Sequence, residues 1–204
     1  MQPADLEPEG PVGSALRHRR TVRSFSAAPV PRALVMRLLW AAQGELDGGR
    51  RTTPSAGGRH PLAAGLIAST VDGVGPGVYR YRDHALETVV PGDHRRALAA
   101  AGIGAQPWLA DAAAVIVLSG DVEGMRRHFA DQPPGDRGVR YAWVEAGAAA
   151  QNVYLQAGEC GLGVVLVGGF ADEVVRGFVP AGHEPLVLVA VGNPVAPLED
   201  AGGR

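Results

Sequence analysis

The sequence contains no lysine: all 19 of its basic Lys or Arg positions are arginines, in a chain of 204 residues. This absence excludes enzyme classes that depend on a lysine side chain, namely P-loop nucleotide hydrolases, Schiff-base enzymes and enzymes with a lysine general base. The formal net charge is −2. No overall positive charge therefore predicts binding to nucleic acid or to an anionic membrane.

Cysteine and long apolar runs are also scarce. The single Cys160 excludes an internal disulfide and fits a reducing cytoplasm, where we expect the protein. No apolar run reaches the ~20 residues of a membrane-spanning helix, and the N-terminal MQPADLEPEGP lacks the apolar core of a signal peptide. The six histidines show no HxxxH or HxH spacing, so no metal site is expected.

The length and the 46% hydrophobic content predict one domain with its own core. We place this domain at residues 13–196, between a loose tail at 1–12 and a C-terminal tail at 197–204. The longest predicted helix, 139–159, has small residues at its centre, which is typical of close helix packing and of a subunit interface. Apolar periodicity predicts strands at 62–70, 78–82, 86–90, 113–119, 164–167 and 186–191, and further helices at 32–44, 94–101 and 172–178.

The chemistry is concentrated first in an arm, Ser14 to Phe25, with the sequence SALRHRRTVRSF. Its second half alternates and reads as extended, so Arg19, Thr21 and Arg23 should point to one face. Guanidinium forks and a hydroxyl in a row suit a phosphate, its polyol tail and an electron-rich carbonyl. The alternative is a solvated basic run near the N-terminus.

Two glycine-bearing segments are the next candidates. The loop RRTTPSAGGRHP, residues 50–61, combines prolines, glycines and short hydroxyl side chains, which predicts either a loop that cradles a ligand or an ordinary surface turn. Gly168 and Gly169 follow a predicted buried strand. They leave room for a planar ligand, although a tight turn after a strand would have the same sequence.

Five segments in order, RRTVRSF, TPSAGGRHP, ADAAAVIVLSG, RYAWVEAGAAAQNVYLQAGECGLG and VVLVGGF, resemble the FMN-dependent nitroreductase family over about residues 14–195. Within that family, PSAGGRHP, GVYRYRDHALETVVPGD and RYAWVEAGAAAQNVYL are most similar to the SagB-type dehydrogenases, relatives of the azoline oxidases. The resemblance implies an α+β fold with a central antiparallel sheet flanked by helices. It also implies a homodimer with the long helix at the interface and two FMN sites between the subunits.

Carried over by position, the resemblance implies that Arg19 and Arg20 meet the FMN phosphate and that Thr21 meets the ribityl chain or pyrimidine edge. Arg23 would lie near the flavin N1 and C2 carbonyl. Reduced flavin carries negative charge there, so a fixed cation raises its reduction potential.

The resemblance assigns the other cofactor contacts to three later segments. Gly168 and Gly169 would place a backbone N–H near the flavin N5, and Gln106 would bond the pyrimidine edge. The loop residues that would lie along the isoalloxazine from the other subunit are Pro54, Ser55, Ala56 and Gly57.

The sequence departs from the family at two places. Members commonly carry a phosphate-binding base near the C-terminus, whereas here no base occurs from Val191 until Arg204. The azoline oxidases usually carry a lysine–tyrosine pair before the long helix, where this chain offers only Arg137, Arg140 and Tyr141.

Three functions remain open. The first is an FMN-dependent oxidoreductase that transfers hydride through flavin N5 to or from a small planar or heterocyclic substrate, with NAD(P)H as a transient electron donor. The second is a SagB-type azoline dehydrogenase that acts on a peptide in modified-peptide biosynthesis. The third is a non-catalytic partner subunit with a flavin-binding fold. No catalytic residue is assigned.

Overall fold

The computed structural model describes residues 10–196 and centres on one antiparallel sheet. The strands are β1 (Val30–Pro31), β2 (Leu62–Ala68), β3 (Val71–Asp72), β4 (Gly77–Arg82), β5 (Ala85–Pro91), β6 (Ala114–Gly120), β7 (Gly163–Val167) and β8 (Glu184–Gly192). The six-stranded sheet has the order β5-β4-β2-β6-β8-β7, and every neighbouring pair is antiparallel. The two-residue strands β1 and β3 pair in parallel beside it.

The central strand β6 is buried on both sides, as its continuous apolar sequence AVIVLSG predicts. Ile116 and Leu118 belong to one core cluster, and the alternating Val115 and Val117 belong to the cluster on the other face. Helices therefore cover both faces of the sheet. The outer strand β5 is mostly exposed, which fits its position at the edge.

The helices are α1 (Gly10–His18), α2 (Arg32–Gln43), α3 (Arg95–Ala101), α4 (Trp108–Asp111), α5 (Val122–His128), α6 (Arg137–Glu159) and α7 (Asp172–Val175). Short 3-10 turns occur at Asp47–Gly49, Ala56–Gly58 and Arg176–Phe178. Helices α2 and α6 supply the core on one face of the sheet, and α3, α4 and α7 contribute to the core on the other.

The long helix α6 packs through small side chains. Its fully buried positions include Ala142, Ala146 and Ala149, at steps of four and three residues, and Ala157 eight residues further along the same side. Methyl groups at these positions let the α6 backbone come close to α2 and to the sheet. The opposite side of α6 is left without a covering element among residues 10–196 and includes the exposed Val144 and Gly147.

The structure confirms the expected α+β architecture with a central antiparallel sheet flanked by helices. The expected tails lie largely outside the described residues, but Gly10, Pro11 and Val12, which we placed in the N-terminal tail, begin α1. The sequence analysis missed α4, whose four residues are too few to show periodicity. No helix within residues 10–196 has the length and apolar character needed to cross a membrane.

Candidate functional site

The first half of the arm belongs to α1, and its second half, from Arg19 to Phe25, runs extended along the edge strand β7 and the end of β8. Val22 donates its backbone N–H to Val164 at 2.9 Å, and Ser26 donates to Asn193 at 2.8 Å. Two glycines make this approach possible. A Cβ at Gly163 would lie 2.7 Å from Val22 Cγ1, and one at Gly192 would lie 2.8 Å from Phe25 Cδ1. The arm therefore covers a sheet edge that would otherwise be open.

Tyr154 of α6 joins the arm to the sheet. Its buried ring lies under the Arg19 guanidinium, with 5.6 Å between Arg19 Cζ and the ring centroid. The Tyr154 Oη accepts a hydrogen bond from the backbone N–H of Leu166 at 2.9 Å and is 3.2 Å from the Thr21 Oγ1. Arg19 and Thr21 thus share one support, as their alternation in the sequence predicts.

Arg23 rests on a second aromatic ring. Its Cζ lies 5.5 Å from the ring centroid of Trp108, the first residue of α4. The Trp108 Nε1 is buried and has no hydrogen-bond partner within the described residues. A cation over an indole face is favoured by the quadrupole of the ring, so Trp108 fixes the direction of a side chain that the sequence analysis had already singled out.

Gln106 and the glycine pair meet at the end of β7. The Gln106 Nε2 donates to the carbonyl oxygen of Gly169 at 2.7 Å and to that of Ile103 at 3.0 Å. Nothing lies within 4 Å of the position that a Cβ on Gly168 would occupy, so the surface there is open. The amide N–H groups of Gln106 are engaged by the backbone, which leaves its Oε1 as the atom available to a ligand.

The other glycine-bearing segment contains the loop at Pro54–Gly58, which is held by α6. The Glu145 Oε1 accepts hydrogen bonds from the Ala56 backbone N–H at 2.7 Å and from the Ser55 Oγ at 3.1 Å. Glu145 is only 5% exposed, and this burial raises the pKa of its carboxyl, which the two hydrogen bonds partly oppose. Gly57 adopts φ +59°, a left-handed conformation that glycine takes without steric cost.

The arm and the loop occupy opposite flanks of α6. Glu145 and Tyr154 are nine positions apart on this helix. At 100° and 1.5 Å per residue they point roughly 180° apart and lie about 13.5 Å apart along the axis. Within one protomer α6 therefore separates the two predicted contact segments.

Between these flanks α6 presents an outward stripe, defined here as Val144, Ala148, Gln151 and Leu155. Helical spacing puts these four residues on one face, and Val144 is 64% exposed. Beside the stripe lies an apolar groove of about 410 Å³ between α1, α2 and α6, whose walls include Val12, Trp40 and Leu155. None of the predicted cofactor residues lines this groove.

Comparison with known protein families shows the family to which this chain belongs. The model of the Nitroreductase family matches residues 16–193. The chain belongs to the nitroreductase family. A curated relative, named "Putative nitroreductase MJ1384", from Methanocaldococcus jannaschii, is 35% identical over 198 residues, which are 96% of this chain and 96% of that protein.

Solved structures share the nitroreductase fold. A chain of the E. coli microcin synthetase McbBCD complex, solved with truncated pro-MccB17 bound, gives a TM-score of 0.74 at 21% identity, over 96% of this chain and 74% of that one. A Desulfovibrio desulfuricans protein in complex with FMN gives 0.65 at 22%, over 97% and 93%. An Anabaena variabilis structure gives 0.73 at 24% over 90% of this chain, which spans only 38% of that longer one.

The residues of this nitroreductase-family chain fit a phosphorylated planar cofactor. Arg19 and Arg23 of the arm lie over aromatic rings. The surface at Gly168 is open, and the neighbouring Gly169 is bonded by Gln106. Arg20 is half-buried, and Pro54 is exposed at the start of the loop. Thr21 and Arg23 lie on the segment that runs along β7, and Gln106 bonds Gly169 just beyond the end of β7, whereas Ser55 and Ala56 are held on the other flank of α6.

Three residues of the site were missed by sequence reasoning: Trp108, Glu145 and Tyr154. Each acts through a contact with a distant segment, and no local pattern announces such a contact. Position in the helix was the one available signal, because Glu145 and Tyr154 lie at the two borders of the side of α6 that its buried alanines form. The Asn152 Nδ2 on the same helix donates to the carbonyls of Ala41 and Thr52 in its own chain.

Proposed function

We propose that the protein is an FMN-dependent oxidoreductase that works as a dimer of two identical chains. The proposal is supported by two observations in a chain of the nitroreductase family: the arm that carries Arg19 and Arg23 lies along β7, and Gln106 bonds Gly169 just beyond the end of the same strand. FMN, when bound, supplies reversible hydride transfer at its N5.

The chain's own residues have separate tasks in this proposal. Arg19 and Arg20 bind the phosphate, whose charge suits guanidinium forks. Arg23, supported by Trp108, keeps a permanent positive charge beside the flavin N1 and C2 carbonyl. Gly168 and Gly169 keep the chain slim near N5, so that a small planar or heterocyclic substrate can stack on the ring. NAD(P)H would bind there transiently as electron donor.

Dimer formation is part of the proposal because each flavin needs the loop of the other subunit. The arm and the loop lie on opposite flanks of the outward stripe, so pairing two copies across that stripe can bring Ser55–Gly57 of one to the arm of the other. The exposure of Val144 in the stripe, at 64%, supports burial in a partner.

Cofactor titration tests the proposal directly. The purified chain is incubated with FMN, and uptake is followed by quenching of flavin fluorescence and by sedimentation. We expect one FMN per chain in a dimer, and bleaching of the bound flavin by NADH or NADPH. A chain that takes up no FMN, or that takes it up but is never reduced and instead binds another protein stoichiometrically, would support the partner-subunit alternative.

An azoline dehydrogenase of the SagB type is the second candidate, and one contact favours it. Phe129 packs against the Pro54–Gly58 loop, with its Cζ 3.4 Å from the position that a Cβ on Gly57 would occupy. Tyr141 packs edge-on against Phe129 with ring centroids 4.9 Å apart. This aromatic wall suits a planar heterocycle. Incubation with an azoline-containing peptide should then remove the mass of two hydrogen atoms per ring; an unchanged mass with an active flavin would leave only the general oxidoreductase.

A further inference from the structure

Glu145 stands out because its carboxylate is buried, with the His60 ring of the loop as a nearby group whose charge favours the ionised form. It is the one carboxylate classed as buried among residues 10–196, and no salt bridge is formed by it there. Removing a carboxylate from water is costly unless its oxygens accept hydrogen bonds. A helix that needed only to pack at this position would be served better by an apolar residue, so the contacts of Glu145 require a separate explanation.

Those contacts organise the whole loop. Glu145 Oε1 receives the Ala56 N–H and the Ser55 hydroxyl, and the Ser55 Oγ in turn accepts the His60 backbone N–H at 2.8 Å. The chain between them passes through left-handed conformations at Gly57, Gly58 and His60, with φ of 59°, 63° and 48°. Such a conformation is unfavourable for the non-glycine His60, so it persists only because the surrounding hydrogen bonds hold it.

We propose that Glu145 is a positioning residue for FMN binding: it fixes the Ser55–Gly57 loop in the shape that the flavin of the partner chain requires. This inference rests on the proposed function. Glu145 acts through Ser55 and Ala56, and it does not itself touch the cofactor. A carboxylate suits this task because it only accepts hydrogen bonds, and a single oxygen can satisfy both loop donors.

The test compares Glu145→Ala with Glu145→Gln, in which an amide oxygen can still accept the Ala56 N–H. We expect the dissociation constant for FMN to rise about tenfold or more in Glu145→Ala, the loss typical of a charge-assisted hydrogen bond, and to stay within about threefold in Glu145→Gln. Hydrogen exchange of the Ala56 amide, measured without FMN, should accelerate more in Glu145→Ala than in Glu145→Gln. Ser55→Ala provides a second variant that leaves the buried carboxylate in place.

Asp93→Ala is the matched control. It also removes a carboxylate that accepts a backbone N–H, that of Arg95 at 3.1 Å, but it follows β5 at the opposite edge of the sheet from β7. Its affinity for FMN should equal that of the unaltered chain. If the unaltered chain binds FMN and both Glu145→Ala and Ser55→Ala bind it equally tightly, only the positioning role of Glu145 is overturned. No FMN uptake by the unaltered chain would overturn the proposed function and the inference with it.

Discussion

Two arginines of the arm rest on aromatic rings, and this is the most informative feature at the scale of single residues. Arg19 lies over Tyr154 and Arg23 over Trp108. Each contact contributes about 0.5–1 kcal/mol at an exposed site. Its larger effect is to restrict a flexible side chain to one direction before any ligand arrives, which lowers the entropy cost of binding.

Arg23→Ala should lower both the affinity for FMN and the reduction potential of the bound flavin, because the charge that stabilises the reduced form is lost. We expect a shift of about −30 mV or more, which for a two-electron couple corresponds to about 1.4 kcal/mol. Spectroelectrochemical titration measures it. Arg96→Ala, which removes an exposed arginine on α3, should leave the potential unchanged; an unaltered potential in Arg23→Ala would contradict the role given to Arg23.

Asp93 should make the fold sensitive to acid. Hydrogen bonds from Arg95 lower the pKa of its carboxyl to about 2, below the unfolded value near 3.8. The folded chain therefore gains stability from ionised Asp93 above about pH 4, and this gain is lost as the pH falls through about 2. Because the pair is partly exposed, we expect less than about 1 kcal/mol. Urea unfolding of Asp93→Asn should approach that of the unaltered chain as the pH falls from about 6 to about 2.

At the scale of secondary-structure elements, Tyr154 connects three of them through one phenol. Its Oη bonds the Leu166 N–H of β7 and contacts Thr21 of the arm, while its ring is buried in the face of α6. The arm is thus held at its middle by a helix and along its length by the sheet. Its position depends on α6 as much as on its own sequence.

Tyr154→Phe should keep the packing and remove the hydroxyl. The Leu166 N–H would lose its partner, at a cost of about 1–3 kcal/mol in the free energy of unfolding, and the arm would be held less firmly. Chemical denaturation and hydrogen exchange of residues 19–23 measure these effects. Tyr79→Phe, which loses a hydroxyl bond to Gly75 in the β4 region, should cost less and leave the arm unaffected.

The elements were largely predictable from sequence, and the supports of the site were not. Continuous apolar runs and helical periodicity predicted β6, β8 and α6 to within a few residues. The arm, the loop and the glycine pair were recognised because each has a local composition that ordinary structure does not need. Trp108 and Glu145 were not recognised, because each matters through a partner far away in the sequence. Trp108 contacts Arg23, 85 positions away, and Glu145 bonds Ala56, 89 positions away.

At the scale of the whole molecule, the side of α6 that no other element covers within residues 10–196 exposes apolar surface, with Val144 64% exposed. The outward stripe is continuous with the apolar groove between α1, α2 and α6, since Leu155 belongs to both. Exposed apolar surface of this kind generally marks an interaction site. A second copy is the partner that the proposed function requires.

Val144→Asp should dissociate the proposed dimer, because an unpaired carboxylate would be buried between the chains. We expect the dimer dissociation constant to rise at least about 100-fold, equivalent to about 2.7 kcal/mol, and FMN affinity to fall with it. Analytical ultracentrifugation across a concentration series gives the constant. Val89→Asp places the same charge on the exposed edge strand β5, where Val89 is 48% exposed, and should change neither quantity.

Helix α6 anchors the arm on one flank and the loop on the other, and this has a genetic consequence. In the proposed dimer, an Arg23→Ala chain would damage the site that uses its own arm, whereas a Glu145→Ala chain would damage the site of its neighbour. In a heterodimer of the two variants, one site would inherit both defects and the other would inherit neither. Two alleles that each weaken FMN binding should therefore, when expressed together, restore one tightly held flavin per pair of chains.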